Sequence, residues 1–329
     1  MNKKGRVDAA LRGDAVDRVP VSLWGHDFER EWSAQTLTDA MVENFTRYDW
    51  DFMKVNPRAS YHVEGWGAKY RYSGNKSQAP IFESTPINSA SDWKRLRPLE
   101  PEDGSLGEQL KALQLINHVV GFDAYFVETI FCPLGIAKYL VGNTNEPILQ
   151  MMRDDRSALH AALQVITETF TAFAIACMGF GASGIFYATN GWACEGVLTE
   201  DQYREFGEQY DLEILEAIKS RSKFTILHNC GERIHFDLLA SYPVHAISWE
   251  ANAAGNPNLR EGMMSSAKAV MGGISEKTTL VSGTPNEVQE EITQALELTG
   301  GRHVLLAPGC AVKPETPSRN VEAVRRMLS

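Results

Sequence analysis

A (β/α)8 barrel is the fold that this 329-residue sequence predicts, on three observations. Short apolar runs of strand length recur eight times between residues 20 and 306, and a helical pattern follows each of them. Parallel neighbours need helical crossovers, and eight such units can close on themselves. The residues at the C-terminal ends of the runs, where such barrels gather their chemistry, are polar or ligand types: His26, Arg58, Glu128, Asn190, His228, Cys230, Glu250, Ser275 and Cys310. Length allows one large barrel or two ordinary domains, and the strand count favours a single domain over 1–329. A doubly wound sheet is the second choice.

The elements follow in chain order. Val7, Ala10 and Leu11 have helical spacing, and 20–24 reads as the first strand, because Pro20 can begin a strand but not sit in its middle. Leu37, Met41 and Phe45, four apart, predict an amphipathic helix over 37–48, and 51–55 is the second strand. The stretch 61–101 is rich in Gly, Ser, Pro and aromatic residues, and Lys69-Tyr70-Arg71-Tyr72 alternates as a hairpin strand would, so it reads as an insertion over one end of the fold. A helix over about 106–120 leads to the third strand at 124–128, and two helical segments between 147 and 179 lead to the fourth at 184–189. Thr199 and Gln202 form a capping box for a helix reaching to about Arg221. Strands at 224–228, 246–250, 269–274 and 303–306 then alternate with helices. Of these, the helix begun by Thr284-Pro285-Asn286-Glu287 has its cap, proline and capping-box acid in place, and Gly300-Gly301 ends it. Thr316-Pro317 begins a last helix, with Arg325-Arg326 suited to its terminal dipole.

Composition bounds the function. Hydrophobic residues make up 43%, no apolar run approaches the roughly 20 residues that span a bilayer, and Met1 to Arg6 leads into no apolar segment, so a cytoplasmic location is expected. A formal net charge of −10 argues against nucleic acid or anionic membrane as a partner, since both call for a basic surface. Five cysteines, an odd number, read as thiols or ligands rather than a disulfide framework. The run Gly179-Phe180-Gly181-Ala182-Ser183-Gly184 matches a dinucleotide fingerprint but precedes a strand instead of opening a helix, and no P-loop, nucleophile elbow or C-x-x-C pair occurs.

The segment Thr225-Ile226-Leu227-His228-Asn229-Cys230-Gly231 carries the clearest chemistry. A His and a Cys two apart on a strand share one face, and Ala307-Pro308-Gly309-Cys310 supplies a second thiol at the end of another apolar run. His/Cys/Cys with an open fourth position is a catalytic zinc pattern, and two thiolates with an imidazole leave the site near neutral. Glu250, ending the neighbouring strand, is the expected displaceable fourth ligand. The fifth and eighth strands are not neighbours, so Cys310 must reach in from a loop that Pro308-Gly309 permits. The alternative is that His228 is hydrogen-bonded and the thiols pack, as Cys132, Cys177 and Cys194 are expected to do. Aromatics at strand exits, Trp24, Tyr187 and Trp192, are the expected cofactor contacts.

Asp17-Arg18-Val19-Pro20-Val21-Ser22-Leu23-Trp24, Gly184-Ile185-Phe186-Tyr187-Ala188-Thr189, Leu198 through Phe206 and Ala307-Pro308-Gly309-Cys310 together resemble the uroporphyrinogen decarboxylase superfamily over essentially the whole chain. The resemblance implies a (β/α)8 barrel and one of two activities: cofactor-free decarboxylation in the haem pathway, or zinc-dependent methyl transfer between a corrinoid protein and a thiol. The decarboxylases carry Arg-Gln-Ala-Gly-Arg after the first strand, whereas here the place reads Gly25-His26-Asp27-Phe28-Glu29-Arg30, without the guanidinium pair that would meet substrate carboxylates. The methyltransferase branch carries His-x-Cys and a late Cys as zinc ligands, matched by His228, Cys230 and Cys310. That branch implies Zn2+, a corrinoid brought by a separate protein, and a small thiol or related acceptor positioned by His26 and Asn190. A decarboxylase of uroporphyrinogen or a related carboxylate is the alternative, and a zinc-bearing binding module without catalysis is a third reading.

Overall fold

Seven parallel strands form one curled sheet in the computed structural model, which describes residues 1–327. Nine strands occur among the described residues: β1 Phe52–Lys54, β2 Lys69–Arg71, β3 Ile81–Ser84, β4 Tyr125–Phe131, β5 Gly184–Ala188, β6 Ile226–Asn229, β7 Ala246–Trp249, β8 Ala269–Ile274 and β9 Val304–Pro308. The large sheet runs β1-β4-β5-β6-β7-β8-β9, each strand beside its successor, and helices occupy every crossover. Both faces of these strands are buried, so they read as apolar runs instead of alternating. Alternation still sorts the side chains. Phe52, Val127, Phe186, Ile226, Met271 and Leu305 pack with Trp24 in an inner cluster, while Ile185, Tyr187, Leu227, Ile247, Val270 and Leu306 face the helices in a larger outer one.

The expected first strand at 20–24 departs from the sequence reading. It forms no ladder, only a single parallel bridge from Val21 to Leu306. The Leu306 amide donates to the Pro20 carbonyl at 2.9 Å, the Ser22 amide donates to the Leu306 carbonyl at 3.2 Å, and on the other side the Asp51 amide donates to the Val21 carbonyl at 2.9 Å. Two donors that would lengthen the ladder are missing. Pro20 has no N–H, and the Val21 amide is taken by the Asp51 carboxylate at 2.9 Å. Asp51 is fully buried and its charge is met by Arg6 at 2.7 Å and by Arg18, so this acid ties the 20–22 segment to the start of β1.

Residues 61–101 contain a short helix, Tyr61–Glu64, the antiparallel β2–β3 hairpin anticipated from the alternation at 69–72, and a helix at Ala90–Trp93. Tyr70 donates its hydroxyl to the Tyr139 carbonyl at 2.9 Å, which pins the hairpin to the helix Pro133–Leu140 that follows β4. The helix Arg156–Gly179 corrects another expectation: it is long and apolar enough, by length and composition, to cross a bilayer. Its buried residues, among them Leu159, Leu163, Ile166, Phe170 and Phe173, belong to the core.

The helix expected over 199–221 begins with its capping box intact, but it is interrupted by a π-turn at Arg204–Glu208 before continuing as Gln209–Ile218. Gly207 leaves room for the Tyr203 ring, since a Cβ there would lie 2.6 Å from it. The outcome is a buried cluster. The fully enclosed Asp211 carboxylate accepts hydroxyl hydrogen bonds from Tyr187 at 2.7 Å, Tyr203 at 2.6 Å and Tyr242 at 2.9 Å, tying this helix to β5 and to the segment ahead of β7.

Candidate metal centre

At the C-terminal ends of the strands lies a cavity of about 140 Å³, lined among others by Trp24, His26, Lys54, Asn56, His62, Phe186, Asn190, His228, Cys230 and Cys310. The three ligands expected from the sequence therefore face one space, although β6 and β9 are separated in the sheet by β7 and β8. His228 is on the inner side of β6 and stacks on Phe186 with ring centroids 5.1 Å apart. Its Nδ1 lies 3.2 Å from the Ser248 hydroxyl, which orients the ring, while its Nε2 is buried with no hydrogen-bond partner. Burial, with the Lys54 charge beside it, lowers the imidazole pKa to about 3, so the ring is neutral with a lone pair available.

Asn229 points the other way, donating its amide to the Ala193 carbonyl at 3.3 Å, as strand alternation requires. Cys230 then ends the run. Gly231 follows with φ 114°, a conformation open to glycine, and it packs where a Cβ would lie 2.9 Å from the Cys194 sulfur. Cys310 arrives through Pro308-Gly309, and a side chain at 309 would meet the Glu250 Cγ and a Glu276 carboxylate oxygen at 2.9 Å each. Burial, reinforced by Cys310 and Cys194, pushes the Cys230 thiol up to about 12, and burial also raises Cys310. Both are therefore protonated at neutral pH unless a cation draws the protons off. Among the described residues, no three His, Cys, Asp or Glu side chains stand as a ready-made coordination cluster. What fits a soft divalent ion is the donor chemistry: an unpartnered buried imidazole nitrogen and two thiols lining the same cavity.

The remaining expected residues divide. Trp24 lines the cavity edge-on to Phe186, at 5.5 Å between centroids. His26 lines it too, with Nδ1 held by Glu31 at 2.8 Å and its ring stacked on Phe28. Asn190, at φ 53°, presents a buried Oδ1 without a partner. Glu250 does not line this cavity; its carboxylate pairs with Lys277 at 2.6 Å in a neighbouring cavity shared with Glu276. Tyr187 and Trp192 also lie away from it: Tyr187 faces the helix layer and donates to Asp211, because the residue of β5 that alternation turns inward is Phe186. Glu128 is mid-strand and faces outward, and burial pushes its carboxyl well above the usual range.

The sequence reading overlooked Lys54, Asn56 and His62. Lys54 was within reach, being two residues after the inward Phe52 on a short apolar run. Burial lowers its pKa to about 8, opposed by the fields of Cys310, Glu128 and Glu31. His62 lies 2.9 Å from the Ala59 carbonyl through Nδ1 and accepts the Phe131 amide at Nε2, 3.1 Å. Burial lowers its pKa from 6.5 to about 3, so its stabilising contribution is complete above pH 6.5 and is lost as pH falls toward 3. Urea unfolding between pH 7 and pH 4 should show the midpoint falling with acid, and His62→Gln should flatten that fall by about one proton's worth.

Residues 2–328 match the family profile described as uroporphyrinogen decarboxylase (URO-D). The chain belongs to the uroporphyrinogen decarboxylase family. Within that family it is similar to the methylcobamide:CoM methyltransferase MtaA of Methanosarcina barkeri, 23% identical over 98% of this chain and 96% of that one. MtbA, a methylcobamide:CoM methyltransferase of Methanosarcina acetivorans, is 21% identical over 97% and 95%. Among solved structures, a methyltransferase from Methanosarcina mazei superposes with a TM-score of 0.84 at 24% identity, covering 99% of this chain and 98% of that one, which establishes the shared fold. The chain is an enzyme of this family; the two relatives just named are methyltransferases, and a uroporphyrinogen decarboxylase of Prochlorococcus marinus is similar to it as well, 24% identical over 94% of this chain and 92% of that one.

Proposed function

We propose that this protein is a zinc-dependent methyltransferase that moves a methyl group between a corrinoid on a separate protein and a small thiol or related acceptor. The observation that carries the reading is the unpartnered, neutral Nε2 of His228 facing one cavity with Cys230 and Cys310. These three would hold the ion, and zinc, when bound, supplies the lowering of a thiol pKa that keeps the acceptor as a thiolate. Ser248 orients His228, Phe186 and Trp24 exclude water, and Asn190 and His26 offer polar contacts to the acceptor. Glu250 would join the ligands only by exchanging its ion pair with Lys277. The same reading takes the fold as a (β/α)8 barrel closed by residues 20–25, with 61–101 inserted over its mouth.

The decarboxylase alternative calls for a pocket accepting an eight-carboxylate tetrapyrrole. The cavity of about 140 Å³ is smaller than the roughly 300–1,000 Å³ that hold drug-sized ligands, and Arg30 is already paired with Asp27 and Glu43, each at 2.7 Å. The test is zinc-loaded protein with methylcobalamin and a panel of thiols, followed by the absorbance of the demethylated corrinoid. Turnover that disappears with chelator and in Cys230→Ala is expected. Chelator-resistant conversion of uroporphyrinogen, with no methyl transfer to any thiol, would replace this reading by the alternative.

A further inference from the structure

Turning an acceptor thiol into a thiolate releases a proton, and the cavity offers few places for it. Among the described residues, no carboxylate lines it. Burial lowers Lys54 to a pKa of about 8, which leaves it mostly an ammonium at neutral pH, and it donates to the Asn56 Oδ1. Of the three imidazoles in the lining, His62 uses both ring nitrogens in hydrogen bonds to backbone groups, and the His228 Nε2 is the expected metal donor. His26 is the exception. Its Nδ1 lies 2.8 Å from the Glu31 Oε1, and its Nε2 has no hydrogen-bond partner among the described residues. The same Glu31 oxygen accepts the Asp27 amide at 2.9 Å, and an ionised carboxylate only accepts, so the ring proton is on Nδ1 and Nε2 holds a lone pair.

The chain sets this ring beside the candidate ligands. Val312, two residues after Cys310, donates its amide to the Trp24 carbonyl at 2.8 Å and forms a parallel bridge with Gly25, which fixes the backbone just before His26. A side chain at 25 would meet the Val312 carbonyl oxygen at 2.7 Å, so the approach needs glycine. The His26 side chain is 25% exposed and lines, besides the cavity, a wider cleft of about 360 Å³, which gives a proton taken from the cavity a way out to water. Glu31 is buried, its Oε2 has no partner, and among the described residues no lysine or arginine stands within ion-pair distance of its carboxylate. A buried carboxylate without a cation is costly, and an imidazolium formed at His26 offsets that cost.

We propose that His26 is the base that takes the proton from the acceptor thiol, with Glu31 as its positioning residue. The S–H bond breaks and leaves its electron pair on sulfur, the proton bonds to Nε2, and the resulting imidazolium pairs with Glu31. The sulfur pair then bonds to the methyl carbon as that carbon's bond to the corrinoid breaks, the corrinoid keeping those electrons, and Nε2 releases its proton through the cleft. The thiol rests on the methyltransferase reading; the tautomer set by Glu31 does not.

Nitrogen NMR of histidine-labelled protein tests this. In the metal-free chain His26 should carry its ring proton on Nδ1, and Glu31→Gln should mix the two tautomers. Adding mercaptoethanol to the zinc-loaded chain should turn the His26 signals into those of an imidazolium, whereas 2-methylthioethanol, which has no sulfur proton to give, should not. In methyl transfer from methylcobalamin, His26→Gln should slow the reaction with mercaptoethanol about a hundredfold while zinc content stays unchanged. The same variant should slow the reaction with thioacetate, already ionised at neutral pH, by less than about threefold, and added imidazole should restore part of the rate to His26→Ala. A ring proton on Nε2 in the metal-free chain, no imidazolium on adding mercaptoethanol, or an equal loss with mercaptoethanol and thioacetate would overturn the proposal. An imidazolium raised by the thiol in a chain that transfers no methyl group would support the base and count against the methyltransferase reading alone. Should His26→Gln not fold, the spectra of the unaltered chain decide.

Discussion

Asp211→Ala should destabilise the protein by about 3–5 kcal/mol, read from urea unfolding at neutral pH. Three tyrosine hydroxyls, from Tyr187, Tyr203 and Tyr242, would lose their shared acceptor in a region from which water is excluded. Each stranded donor costs roughly 1–3 kcal/mol, and removing the carboxylate leaves a void besides. Asp211→Asn, which keeps one carbonyl oxygen, should cost less than the alanine variant. The consequence reaches the site, because β5 carries Tyr187 on its outer face and pairs Ala188 with His228. A partly loosened β5 would displace the ring of Phe186 against which His228 stacks. A loss below about 1 kcal/mol would show that the three hydroxyls find other partners.

The second large effect is at His228. His228→Ala should weaken zinc binding by at least about a hundredfold, measured by competition with a chromophoric chelator, and reduce methyl transfer to background. Ser248→Ala leaves the ligand in place and removes the hydroxyl 3.2 Å from its Nδ1, so its effect should be smaller, about tenfold on affinity. An unchanged zinc affinity in His228→Ala would place the ion elsewhere.

How much of this was legible beforehand differs from element to element. Strands at 184–189, 246–250 and 269–274 were readable because parallel strands, buried on both faces, are continuous apolar runs of the right length. The capping boxes at Thr199 and Thr284 formed as read, because their partners are three residues away. The first strand was overestimated, since the Asp51 side chain that consumes the Val21 amide comes from 30 residues further on and leaves no local signal. The candidate donors His228 and Cys230 were visible from their spacing on β6, and Cys310 from the glycine turn before it. Tyr187 was misassigned by ignoring which residues of β5 alternate inward, and Lys54 was missed for the same reason on β1. Glu250 lies one residue past the end of β7, and its carboxylate turns to Lys277, a partner in a later loop.

The most direct test of the central claim is zinc content together with X-ray absorption at the zinc edge, on protein purified without added metal. About one equivalent per chain, with one nitrogen at about 2.0–2.1 Å and two sulfurs at about 2.3 Å, and loss of one sulfur in Cys310→Ser, is the result expected. Less than about a tenth of an equivalent, or a shell without sulfur, would contradict it.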